Sequence, residues 1–65
     1  MNIILNHKDQ TILSNTIEGL IDELSIETKG VAIALNNKVI PRNKWSLTKL
    51  NNGDKVVIVS AVFGG

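Results

Sequence analysis

Apolar and polar positions along this chain follow two different periods. Asn2–Asn6 reads as a short extended run, with Ile3 and Leu5 facing one way and Ile4 the other. Asn6-His7-Lys8-Asp9 supplies turn residues and Gln10–Leu13 is extended again, which predicts a hairpin with a loop of about four residues. The period then changes. Ile17, Leu20, Ile21 and Leu24 recur at i, i+3, i+4 and i+7, the apolar stripe of a helix predicted over about residues 16–25. Ser14, Asn15 and Thr16 are all competent N-caps; with Asn15 as the cap, Glu18 stands at N3 and closes a capping box. Glu18, Asp22 and Glu23 fall off the stripe and predict a solvated acidic face. Gly19 costs a helix interior about 1 kcal/mol against Ala, so this helix is expected to depend on packing.

Period two returns in the second half. Gly30–Asn36 alternates Val31, Ile33 and Leu35 with Ala32 and Ala34. Asn36–Asn37 suits a two-residue type I′ turn, because Asn tolerates positive φ. Lys38–Ile40 is a short edge strand, ended by Pro41, which has no ladder donor. Asn43–Leu50 has no clear period and should hold a turn or short 3-10 piece, with Trp45 and Leu47 tucked inward. Asn51-Asn52-Gly53-Asp54 is the strongest turn signal, Lys55–Val62 is a last β-branched strand, and Phe63–Gly65 is a flexible tail. The order β-β-α-β-β-turn-β predicts an α+β domain over residues 1–65, with a five-stranded mixed sheet on one main helix. The β-grasp arrangement, with first and last strands parallel at the sheet centre, fits this order best among known folds.

Composition narrows the function classes. A 65-residue chain has a small core, and with no Cys and one His it has neither disulfides nor a zinc finger to support it. Nine Ile, seven Leu and six Val argue against disorder. No apolar run approaches the ~20 residues of a membrane span, and no signal peptide is readable, so the chain is expected to be soluble and cytoplasmic. Net charge is +1, with −4 over residues 1–28 and +5 over residues 29–65. The bases are dispersed and Trp45 and Phe63 are the only aromatics, which disfavours a nucleic-acid surface and favours a two-toned face toward protein. An enzyme needs a nucleophile, base or metal in a pocket; His7 stands alone in a polar turn, and no Gly-rich phosphate loop opens the helix.

Val62-Phe63-Gly64-Gly65 follows a core strand directly. Two residues without Cβ make a thin lead that can carry a carboxylate deep into a partner's site, and they reach conformations closed to other residues. A partner would activate that carboxylate with ATP as an acyl-adenylate, which a sulfur or amine nucleophile displaces. By strand parity, Val57, Val59 and Ala61 share the outward face of Lys55, while Val56 and Ile58 point to the core. Ala32 and Ala34 lie outside as well. The outer face is then small, apolar and fringed by Lys, as a partner patch would be. Trp45 and Pro41 read as structural; Arg42 reads as a partner contact or a solvated edge charge.

The chain resembles the ThiS family of thiamine-biosynthesis sulfur carriers, bacterial ubiquitin-like β-grasp proteins. The resemblance runs from Met1 to Gly65 through the Asn2–Asn6 strand, the Thr16–Leu24 helix and Gly30-Val31-Ala32-Ile33-Ala34-Leu35-Asn36. It continues through Val39-Ile40-Pro41-Arg42 with Trp45 three residues on, then Gly53-Asp54 and Gly64-Gly65. Gly-Gly is shared with ubiquitin and the molybdopterin sulfur carrier; the Asn-Asn-x-Val-Ile-Pro-Arg-x-x-Trp stretch with the short length points to the thiamine branch. The resemblance implies a carrier that is no enzyme and binds no cofactor or metal of its own. An E1-like adenylyltransferase (ThiF) would use ATP and Mg to adenylate Gly65, and a persulfide sulfur donor would replace AMP to give a thiocarboxylate. Thiazole synthase (ThiG) would accept the sulfur, admitting the tail while Phe63 and Val62 pack at the channel mouth. The alternatives are a carrier of another pathway, such as molybdopterin, and a ubiquitin-like modifier or interaction module.

Overall fold

β1 (Asn2–Leu5) and β2 (Lys8–Thr11) pair antiparallel around a two-residue turn, Asn6–His7, in which both residues have positive φ (47° and 70°). The sequence pattern predicted a four-residue loop and a second strand over Gln10–Leu13. The shorter turn prevails because a turn with two positive φ values matches the right-handed twist of the strands it joins. Lys8 and Asp9 therefore belong to an edge strand, and Ile12, just past it, is buried. The computed structural model describes residues 1–60, and β5 (Lys55–Ser60) closes the described chain. β3 (Val31–Leu35) and β4 (Lys38–Ile40) form a second hairpin on Asn36–Asn37, both with positive φ (51° and 71°), the predicted turn. The sheet order is β2-β1-β5-β3-β4, with β1 and β5 parallel at its centre and all other pairs antiparallel. This is the β-grasp topology.

The helix α1 (Ile17–Glu23) is shorter than the apolar stripe suggested, and its N-cap is Thr16, not Asn15. Thr16 Oγ1 accepts from the Gly19 amide at 3.0 Å, so N3 is Gly19 and no capping box with Glu18 forms. Asn15 is engaged otherwise: its carbonyl accepts from Leu50 N at 2.8 Å, and Ile17 N donates to the Thr48 carbonyl at 3.1 Å. These two bonds hold the helix start against the segment before β5. After the C-cap Leu24, Ser25 turns the chain away with a positive φ of 54°.

Gly19 has a packing reason. A Cβ there would stand 3.0 Å from Ser14 Cβ and 3.1 Å from Thr16 Oγ1, so the chain entering the helix folds back over this position.

The core lies between the sheet and α1. Ile3, Ile33 and Val56 from the sheet meet Ile17, Leu20 and Ile21 from the helix, closed at the sides by Ile12, Trp45 and Leu50. Burying each such aliphatic side chain contributes roughly 1.5–3 kcal/mol. A short 3-10 turn, Arg42–Lys44, carries Trp45 into this core, where the indole Nε1 donates to the Ile40 carbonyl at 3.0 Å. Leu47, expected inward, is 70% exposed: Leu47 N bonds back to the Lys44 carbonyl, and Trp45 has taken the inward place.

Candidate functional site

Sheet register decides which side chains share the open face. Across β5 and β3, Val59 pairs with Ala32 and Val57 with Ala34; Ala34 in turn pairs with Val39 on β4. On the other flank Lys55 pairs with Ile4, and Ile4 with Asp9. Their sheet neighbours Val31, Ile33, Leu35, Val56 and Ile58 point the other way, toward α1. The outer face is thus an apolar patch of Val57, Val59, Ala32, Ala34, Val39 and Ile4, with Lys55 and Asp9 on the row beside Ile4. Val59 is 56% exposed, Val39 67% and Ile4 37%, while Val57 and Ala34 are half-buried.

Sequence parity placed Val57, Val59, Ala32 and Ala34 on this face but did not include Ile4 and Val39. Ile4 was legible as facing opposite to Ile3 and Leu5, but only the parallel register with β5 brings it to the patch. Val39 sits on a three-residue strand too short for a periodic signal.

Arg42 belongs elsewhere. Its guanidinium lies 5.1 Å from the centre of the Trp45 ring and donates to the Thr28 carbonyl. With Glu18, Ile21, Asp22, Asn43 and Ser46 these residues line a shallow groove beside α1, on the helix layer. A cation over an indole contributes about 0.5–1 kcal/mol at an exposed site, so Arg42 already has intramolecular work. Ala61, Val62, Phe63, Gly64 and Gly65 lie outside the described residues.

The remaining titratable groups are dispersed. His7 is exposed in the β1–β2 turn, and no group of three or more His, Cys, Asp or Glu side chains gathers at metal-binding spacing among the described residues. Glu23 is exposed, as expected of the acidic face, and is also a clasp. Its carboxylate accepts from the Ser14 hydroxyl at 2.7 Å, the Ser14 amide at 2.8 Å and the Leu13 amide at 2.9 Å. The Ser14 hydroxyl and these two amides hold its pKa below the usual carboxylate range. Among the described residues no helix is long and apolar enough to cross a membrane. What this surface offers is an exposed apolar face on β5, the strand whose sequence continues to Gly64–Gly65.

Comparison with known proteins bears on the family and the fold. The ThiS family model matches residues 3–65. The chain is 27% identical over 66 residues to the sulfur carrier protein ThiS of Escherichia coli (strain K12), with both chains covered completely. It is 30% identical over 66 residues to a thiazole synthase of Paramagnetospirillum magneticum (strain ATCC 700264 / AMB-1), of whose length it spans only 20%. The crystal structure of a thiamine biosynthesis protein (ThiS) from Geobacter metallireducens superposes with a TM-score of 0.87 at 26% identity, covering 100% of both chains. An NMR solution structure of a thiamine biosynthesis protein from Geobacter metallireducens gives 0.80 at 26% identity, over 100% of this chain and 88% of that one. Sequence and fold converge, and the chain belongs to the ThiS family of thiamine-biosynthesis sulfur carriers.

Proposed function

We propose that this protein carries sulfur as a thiocarboxylate on Gly65 and delivers it to a thiazole synthase. The observation that carries the reading is the exposed apolar face centred on β5, the strand whose sequence continues to Gly64–Gly65, within a family match that includes both glycines. An E1-like adenylyltransferase docks this face and, with ATP and Mg, adenylates Gly65: a carboxylate oxygen attacks the α-phosphorus and pyrophosphate leaves. A persulfide sulfur then attacks the acyl carbon and AMP leaves; a thiol reduces the resulting acyl disulfide to the thiocarboxylate. The chain is a co-substrate in these steps and supplies no catalytic group. The similarity to a thiazole synthase whose length exceeds this chain supports that enzyme class as the acceptor. Specificity lies in the sheet face, because a Gly-Gly lead fits any channel of this kind.

The test uses the carboxylate. Removing Gly65 or amidating the terminal carboxyl abolishes ATP–pyrophosphate exchange with the activating enzyme and leaves thermal unfolding unchanged. Full exchange by the amidated protein overturns the proposal, because an amide offers no oxyanion to attack phosphorus. Pathway is read in a cell lacking its own thiamine sulfur carrier, with the matched activating enzyme and synthase co-expressed. Growth without added thiazole supports the reading; rescue of molybdopterin synthesis alone moves the protein to the other branch.

A further inference from the structure

β1 and β5 pair at only two positions, Ile4↔Lys55 and Leu5↔Val56, yet β5 runs on to Ser60 with β3 beside it. The parallel ladder is carried by Ile4 N, which donates to the Asp54 carbonyl at 2.8 Å, and Asn6 N, which donates to the Val56 carbonyl at 2.9 Å. In a continuing ladder, Ile58 N would donate next to the main-chain carbonyl of Asn6. Asn6 has a φ of +47° and opens the turn to β2, which swings that carbonyl away. Its side chain takes over: Ile58 N donates to Asn6 Oδ1 at 2.7 Å. A backbone amide needs an oxygen opposite it, so this bond also fixes which way the side-chain amide points. Asn36 does the corresponding job at the start of the strand from the β3 side, accepting from Lys55 N at 2.9 Å. The two left-handed turn asparagines thus hold β5 from both sides, Asn36 at its first residue and Asn6 at Ile58, beyond which β3 alone runs beside it to Ser60.

We propose that Asn6 is a positioning residue for the tail reaction: its side chain sets the last point at which β5 is tied to β1, and with the β3 pairing that continues to Ser60 it fixes the base from which Gly65 is presented to partner enzymes. This rests on the sulfur-carrier reading above. Gly65 is five residues beyond Ser60, a reach of at most about 18 Å. With so short a lead, a shift at Ile58 displaces the carboxylate relative to a docked sheet face by a comparable distance, and a misplacement of about 1 Å is enough to slow a reaction that depends on alignment. Asn6 lies outside the apolar patch, so its loss leaves docking intact.

Asn6→Gly keeps the turn conformation and deletes the acceptor. In the full-length carrier with its activating enzyme, Asn6→Gly lowers kcat for ATP–pyrophosphate exchange about three- to tenfold, with KM for the carrier unchanged, and speeds hydrogen exchange at the Ile58 amide by a similar factor. Asn6→Asp, which keeps the acceptor and tolerates positive φ, restores kcat. Asn36→Gly, which loosens the other end of β5, lowers stability and leaves kcat alone. Equal kcat for wild type and Asn6→Gly, or a change confined to KM, overturns the proposal. Should Asn6→Gly not fold, the Ile58 amide resonance of Asn6→Asp must follow titration of the introduced carboxylate, and its failure to do so overturns the contact itself. A wild-type carrier that is not adenylated at all defeats the function proposed above, whereas an active wild type matched by Asn6→Gly defeats only this inference.

Discussion

Gly19→Ala separates a helix glycine that is merely unfavourable from one that packing requires. On propensity alone the substitution stabilises α1 by about 1 kcal/mol. Against this, the new Cβ meets Ser14 Cβ at 3.0 Å, Thr16 Oγ1 at 3.1 Å and Ser14 Oγ at 3.2 Å. None of these atoms retreats freely. Ser14 is tied by its amide and hydroxyl to Glu23 Oε1 at 2.8 and 2.7 Å, and Thr16 Oγ1 is the N-cap acceptor for the Gly19 amide itself. Forcing a methyl into such a contact costs about 1–3 kcal/mol, and displacing the cap oxygen adds about 0.5–2. The clash wins, with a net loss of about 0.5–4 kcal/mol and a mid-range value of about 2. For a domain of this size each kcal/mol lowers Tm by about 4–8 °C. Thermal unfolding followed by circular dichroism reads it directly. Ser14→Gly removes the obstructing Cβ and hydroxyl, so the double variant Ser14→Gly/Gly19→Ala should be more stable than the two single losses predict by addition. A Gly19→Ala protein that melts above wild type refutes the reasoning.

Two further predictions concern the face and the clasp. Val59→Asp puts a carboxylate at the most exposed apolar site of β5 and should weaken binding to the adenylyltransferase more than tenfold, measured by calorimetry, with Tm nearly unchanged; loss of folding would place Val59 in the core. The Glu23 carboxylate is held below its ordinary pKa in the folded chain, so its contribution to stability is present above about pH 4.3 and is lost as pH falls through the depressed value. Glu23→Gln should therefore flatten the acid limb of a Tm-against-pH profile, and parallel limbs for the two proteins would count against the clasp.

Local chemistry was enough where one short segment decided the outcome. Asn36–Asn37 forms its two-residue turn because both residues accept positive φ, whatever surrounds them. The 3.6-residue period of Ile17, Leu20 and Ile21, and the period of two through Val56, Val57 and Ile58, set which faces turn inward, because the backbone geometry of helix and strand carries those periods. From these comes the element order; the β-grasp pairing is matched to that order from known folds, and the sheet bears it out.

Elsewhere the sequence offered near-equal choices and long-range contacts selected among them. Ser14, Asn15 and Thr16 are comparable caps in isolation; Thr16 serves because the Asn15 carbonyl is bonded to Leu50 N, thirty-five positions away. β2 is wholly polar, so no apolar period marks its bounds, and pairing with β1 through the two-residue turn moves the strand from the expected Gln10–Leu13 to Lys8–Thr11. Trp45 rather than Leu47 enters the core because the indole finds the Ile40 carbonyl, which a leucine cannot use. Glu23 reads only as a surface charge, which it is; its bonds to Leu13 and Ser14 come only from the path of the chain before α1. The outer apolar face shows the division most clearly. Parity along β5 and β3 named Val57, Val59, Ala32 and Ala34, since parity is a property of one strand. Ile4 and Val39 joined them, and Arg42 was carried to the helix layer, only once the order β2-β1-β5-β3-β4 had set which strands lie side by side.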